Sequence, residues 1–227
     1  KKEGKEFYES YFLQHSKKLP LIDAKIAISK DYFTINKKKR WITNIHSRKR
    51  SHVIRSTYDC LISTSKSINN DNSILNCRIE GLEKKCPDLV ILDRNLKLKK
   101  NLKLFNNMKY RKILLVTCKN DSKKLSFFKS RGVKIIKVGQ LNSFKDYKNL
   151  FFKLKKKYSR ILVEAGLNFT NFLIKNELIK NIYIFQSFYK LKNQGTNNSS
   201  PNIIKKIKLK NQISVNLFGD QIYKEKI

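Results

Sequence analysis

No run of about 18 apolar residues occurs in the chain, and no secretory signal opens it. A membrane partner is therefore excluded, and the cytoplasm is the expected location. Cys60, Cys77, Cys86 and Cys118 form no C-x-x-C pair, and only His15, His46 and His52 are present to join them. That spacing argues against zinc, so no metal site is assigned. A chain of this size needs no disulfide framework, and free, mostly buried thiols are expected. Acidic residues are scarce as well, 17 against 51 lysines and arginines, for a net charge of +34. Phosphate contacts with nucleic acid are the obvious inference from that charge. Yet the lysines are scattered along the whole chain, beside abundant Asn and Ile and only seven glycines and three prolines. That spread fits a genome-wide amino-acid bias as well as a binding face. Nucleic acid is therefore not the expected partner, and a preference for anionic small molecules is compatible with the charge.

What is present is a globular composition. Hydrophobic residues make up 40% and aromatic residues 11% of the 227, enough for one full-sized domain with a real core. The chain begins at Lys1 rather than Met, so it is expected to be a piece of something longer. Residues 1–19, with Phe7, Tyr8, Tyr11 and Phe12 among charges, read as a linker or N-terminal amphipathic helix ended by Pro20. The domain proper is then 20–227. Residues 21–29 read as the first strand, with Lys25 set among apolar neighbours as an edge position or a site residue. The run 37–40 reads as a solvated loop. Asn44 can cap a helix over 45–56 that carries His52 and Arg55 on one face.

Further strands are expected at 59–63, 88–93, 112–117, 133–138 and 181–185. A polar stretch runs from 65 to 76. Helices are expected over about 120–131, closed by Gly132, and over 144–157, where Tyr147, Leu150, Phe151 and Leu154 form a core stripe. A polar, mobile loop at 190–201 and strand-like segments near 203–209 and 212–218 close the chain. Strands that alternate with helices and read as continuous apolar runs predict a three-layer α/β/α fold with a largely parallel central sheet.

Residues 159–173 organise the rest. A β-branched, apolar run leads into the turn Glu164-Ala165-Gly166, then into a helix start that offers Asn168 or Thr170 as a cap. Gly166 lets the backbone come close to a ligand, and the first N–H groups of the helix favour an anion. Glu164 falls at the carboxyl end of the strand, where open α/β sheets bind their ligands.

Several short pieces, in order, resemble one family. They are Lys25-Ile26-Ala27-x-Ser29-x-Asp31, Trp41-Ile42-Thr43, His52-x-x-Arg55-x-x-x-Asp59, Asn70-Asp71-Asn72 with Arg78, Val90-Ile91-Leu92-Asp93, and Leu162-Val163-Glu164-Ala165-Gly166. The family is the reductase domain of the bifunctional riboflavin-biosynthesis deaminase/reductase, which has a dihydrofolate-reductase-like fold, and the resemblance covers about 20–220. It implies NADPH-dependent reduction of the ribosyl group of 5-amino-6-(5-phosphoribosylamino)uracil to the ribityl form. By the same resemblance Lys25, Asp71 and Glu164 contact the substrate ribose and pyrimidine, with Lys25 or Asp71 as proton donor. Arg55 and Arg78 clamp the substrate phosphate, and Leu75 lines that site. Ala27, Trp41, Ser67 and the turn Gly166, Leu167, Asn168, Phe169 and Thr170 (running on to 172) face NADPH.

The family also implies a homodimer. The zinc deaminase signature is absent from this sequence, so that half is expected upstream in the full-length chain or in a separate protein. Tyr32, Ser73, Lys39 and Arg94 stand where the family usually has Gly, Pro and two small polar residues. Arg94 either favours the NADP 2′-phosphate or is plain surface. Two other readings are a reductase acting on the related 2,5-diamino-pyrimidinone ribotide and a catalytically inert, basic nucleic-acid-binding module.

Overall fold

The computed structural model describes Tyr8, Tyr11 and residues 19–106 and 108–227. The linker or helix expected over 1–19 lies almost wholly outside the described residues. In chain order the elements begin β1 (Leu21–Ile28), β2 (Ile35–Asn36), α1 (Ile45–Arg55), β3 (Cys60–Thr64), α2 (Ser65–Asp71), β4 (Asp88–Leu92) and β5 (Ile113–Thr117). They continue α3 (Ser122–Ser130), β6 (Lys134–Lys137), α4 (Phe144–Lys155), β7 (Arg160–Val163), α5 (Leu167–Lys175), β8 (Asn181–Gln186), β9 (Gly195–Thr196) and β10 (Gln221–Lys226). The fold is α/β with a largely parallel sheet, as the alternation of strands and helices predicts.

Contacts group the chain into two compact units, the first comprising residues up to 21 with 55–162, the second 22–54 with 163–227. In the first unit the strands run in the order β7-β3-β4-β5-β6. The β3–β4, β4–β5 and β5–β6 pairs are parallel, with Ile62 opposite Val90, Ile91 opposite Leu115 and Val116 opposite Ile136. Successive residues of a strand point to opposite faces. Because Cys60 to Ser63, Leu89 to Leu92 and Ile113 to Thr117 are all buried, both faces of these strands are covered. The edge strand β6 begins and ends on exposed lysines, Lys134 and Lys137, which discourage pairing with another chain. Helix α3 starts on Asp121, whose carboxylate accepts from the Lys124 N–H at 2.9 Å, and α4 starts on a capping box of Ser143 and Asp146. The stripe Leu150, Phe151 and Leu154 is buried as expected.

In the second unit β1 and β8 pair in parallel, Ala27 opposite Phe185, and β10 lies antiparallel on β8. Asn44 caps α1 as expected, its side-chain oxygen accepting the Ser47 N–H at 3.0 Å. The loop after β8 is fastened rather than loose. Strands β2 and β9 pair across it, and the Asn197 side chain accepts from both the backbone and the hydroxyl of Thr34 at 2.9 Å.

Three local expectations are corrected. The stretch 65–76 is not all loop, because Thr64 caps helix α2 by accepting the Ser67 N–H. Neither 203–209 nor 212–218 is a strand. Asn202 caps a 3-10 turn at Ile203–Lys206, Gln212 makes one bridge to Tyr223, and the true last strand is β10. Neither Asn168 nor Thr170 caps α5. Gly166 is the capping position and makes no side-chain bond, so both residues lie within the first turns.

Candidate active site

The first unit holds Arg55, Ser67, Asp71, Leu75 and Arg78. Ser67 and Asp71 are four apart on α2, hence on one face. The Ser67 hydroxyl accepts from the Thr64 hydroxyl at 3.0 Å. Asp71 is exposed at the end of the helix, which stops at Asn72 in the left-handed conformation (φ 43°). The chain then turns through Leu75, also left-handed at φ 54°, toward exposed Arg78. Arg55, the last residue of α1, is half-buried and donates to the Asn76 carbonyl at 3.0 Å. The structure thus ties Arg55 to the backbone two residues before Arg78.

A cavity of about 390 Å³ opens at the carboxyl ends of β3 and β4, lined by Ser65, Lys66, Asn69, Arg94, Lys97 and Lys99 among others. Its floor is fixed by Asp93, which is 2% exposed. That carboxylate accepts from the Ser65 hydroxyl at 2.8 Å and from the N–H groups of Lys97 and Leu98 at 2.8 and 2.7 Å. These three bonds commit Asp93 to holding the loop. The cations around it make the cavity attractive to a phosphate. Arg94 reaches the Asn142 side chain from this rim.

The second unit holds Lys25, Ala27, Trp41, Glu164 and the turn from Gly166 to Thr170. Lys25 and Ala27 are two apart on β1 and are its two half-buried positions, so one face of the strand is partly open there. The Lys25 ammonium sits 5.1 Å from the centroid of the Phe185 ring. Trp41 is 49% exposed, so it is not a core anchor. The Arg40 and Arg48 guanidinium groups stand 4.7 and 4.8 Å from its ring. Glu164 is half-buried just beyond the carboxyl end of β7. Helix α5 begins without a side-chain cap, Leu167 and Thr170 buried, Phe169 half-buried and Asn168 exposed. Gly166 has φ −66°, open to any residue, so the backbone angle does not require glycine there.

Two quoted motif residues turn out to fasten a loop. The Ser29 hydroxyl donates to Asp31 at 2.6 Å, and Asp31 accepts the N–H groups of Leu191 and Lys192. Burial works to raise the Asp31 pKa, but these hydrogen bonds outweigh it and hold the carboxyl below its ordinary range.

Residues 20–187 match the family model described as the RibD C-terminal domain. The chain belongs to that family. The riboflavin biosynthesis protein RibD of Aquifex aeolicus is 26% identical to this RibD C-terminal domain over 186 residues, which are 81% of this chain and 50% of that protein. The chain therefore spans about half the length of that relative. A 5-amino-6-(5-phosphoribosylamino)uracil reductase of Buchnera aphidicola is 24% identical over 163 residues, 67% of this chain and 76% of that one. The riboflavin biosynthesis reductase Rib7 of Saccharomyces cerevisiae superposes with a TM-score of 0.72 at 19% identity, covering 98% of both chains. That last likeness speaks to fold.

Sequence reasoning missed part of this domain's basic lining. Lys66, Lys97 and Lys99 gave no signal among so many lysines, and Arg111 lies outside every quoted motif. Among the described residues no three His, Cys, Asp or Glu side chains are grouped to hold a metal, and no helix is long and apolar enough to cross a membrane. Cys60 and Cys77 are buried thiols, while Cys86 and Cys118 are half-buried.

Proposed function

We propose that this RibD C-terminal domain uses NADPH to reduce the ribosyl group of 5-amino-6-(5-phosphoribosylamino)uracil to the ribityl form. The observation that carries the reading is the family match over 20–187, joined by the name of the Buchnera relative. NADPH would supply the hydride, delivered to C1′ of the sugar in its ring-opened imine form. The chain's own residues bind, orient and move a proton. Arg55 and Arg78 grip the phosphate, with charged hydrogen bonds contributing roughly 1.5–3 kcal/mol each. Glu164 accepts from ring N–H groups of the pyrimidine. Lys25 or Asp71 delivers the proton that balances the hydride.

On the cofactor side, Ala27, Trp41, Ser67 and the uncapped start of α5 would hold the dinucleotide, and the basic cavity at Arg94 would take its 2′-phosphate. We further propose that residues 20–227 work as one reductase domain in a cytoplasmic homodimer. A zinc deaminase, fused upstream or separate, would act on the same pyrimidine. The test is ribotide-dependent NADPH oxidation, run in parallel with the 2,5-diamino-pyrimidinone ribotide. A faster rate on the aminouracil supports the assignment, and a faster rate on the diamino compound replaces it.

A further inference from the structure

Arg111 stands just before β5 and is 7% exposed. One terminal nitrogen of its guanidinium donates to the Leu75 carbonyl and the other to the Ile74 carbonyl. Arg55 takes the next carbonyl, that of Asn76. Three successive carbonyls of one segment thus accept from two guanidinium groups. The segment is bent, with Asn72 at φ 43° and Leu75 at φ 54°. Such conformations are unfavourable for most non-glycine residues and persist where the surroundings fix them. A planar guanidinium can hold two adjacent carbonyls in one geometry, which an ammonium cannot.

The charge on Arg111 is unusual for its burial. Among the described residues it has no carboxylate within ion-pair distance and its Nε has no hydrogen-bond partner, although the Cys86 side chain interacts with the guanidinium and favours its charge. Asp88 acts on it only at longer range and is already engaged by Lys157, Tyr158 and the Lys112 N–H. Arg55 lies close enough to oppose it. Burial chiefly, and Arg55 in addition, pull the Arg111 pKa down, against a smaller opposing pull from Cys86 and Asp88. Keeping a buried cation without a counter-ion is costly, so two like charges beside one loop suit an arriving anion.

We propose that Arg111 is a positioning residue for phosphate recognition. By pinning the Ile74 and Leu75 carbonyls it sets the course of the chain from Leu75 to Arg78. Its charge, paired with no carboxylate among the described residues, adds to the field that Arg55 and Arg78 offer a phosphate. The identity of the phosphate carrier rests on the reductase reading above, whereas the preference for a phosphate does not.

Arg111→Met and Arg111→Lys should be compared with the wild type in two assays. The first is kcat and KM on the ribotide and on its riboside lacking the phosphate. The second is the melting shift produced by ribose 5-phosphate against ribose. In Arg111→Met the ribotide KM should rise about tenfold or more, the loss of one charged hydrogen bond's worth of binding. The NADPH KM and the riboside kcat should stay at wild-type values, and Arg111→Lys should recover part of the loss. The ribose 5-phosphate shift should fall in the same order. A folded Arg111→Met that still prefers the ribotide as the wild type does would overturn the proposal. So would failure of both variants to fold, which would make Arg111 a scaffold residue only. Should the wild type oxidise no NADPH, the reductase reading fails alone. The ribose 5-phosphate shift then decides, supporting Arg111 if present in the wild type and lost in Arg111→Met, and overturning it if absent from the wild type.

Discussion

Arg55 donates to the backbone carbonyl of Asn76 at 3.0 Å, which fixes the end of helix α1 to the segment that leads into Arg78. The bond makes Arg55 a support for that segment, beside the phosphate-binding role proposed for it. Arg55→Met should therefore raise the ribotide KM by roughly 10- to 150-fold, the equivalent of one charged hydrogen bond, and leave the NADPH KM unchanged. Steady-state kinetics with each substrate varied in turn checks this.

Arg94 and the lysines around it set the charge of the cavity at the ends of β3 and β4. Arg94→Ala should weaken NADPH by about tenfold and leave NADH binding at its wild-type value, since only NADPH carries the 2′-phosphate. Titration of cofactor fluorescence measures both. Equal loss for the two cofactors would place the 2′-phosphate elsewhere.

Tyr32 occupies a left-handed conformation at φ 68°, a backbone angle that favours glycine. Its carbonyl accepts from the Asn202 side chain at 2.8 Å, which holds the turn in place. Tyr32→Gly should relieve the strain and leave the melting temperature level or higher, whereas Tyr32→Val should lower it by the equivalent of about 1 kcal/mol or more. Melting curves of the two variants give the sign directly.

The acid limb of stability should involve Asp88. Burial works to raise its pKa, but bonds from Lys157, the Lys112 N–H and the Tyr158 hydroxyl outweigh it and hold the carboxyl below its ordinary 3.8. Above 3.8 the group is ionised in both folded and unfolded chains, so its contribution is fully present. As pH falls from there through the lower folded value, the unfolded chain takes up the proton first and the contribution is lost. Asp88→Asn should thus be less stable than the wild type at neutral pH, with the gap closing as pH falls below 3.8 and through the lower folded value. A gap that persists at the acid end would assign the cost to lost packing.

The strands were legible because each is buried on both faces and so reads as an uninterrupted apolar run, as Leu89 to Leu92 and Ile113 to Val116 show. Helix α2 was not, since Ser65 to Asp71 has Ile68 as its one buried apolar side chain and depends on the Thr64 cap. Strand β10 hid behind the polarity of Gln221 to Lys226, whose pairing is set by β8 and not by its own pattern. Candidates for the site could be named only where a distinctive residue type marked them, as with Trp41, Arg55 and Glu164. Arg111 was silent because its role depends on a fold that carries it to the carbonyls of Ile74 and Leu75, far away in sequence.

The central claim is tested most directly by mixing the purified chain with NADPH and 5-amino-6-(5-phosphoribosylamino)uracil and following NADPH consumption. Oxidation that requires the ribotide, and that drops by about a hundredfold or more in folded Asp71→Asn and Glu164→Gln, is the predicted result. No oxidation with this ribotide or its diamino relative, or full rates in both variants, would contradict it.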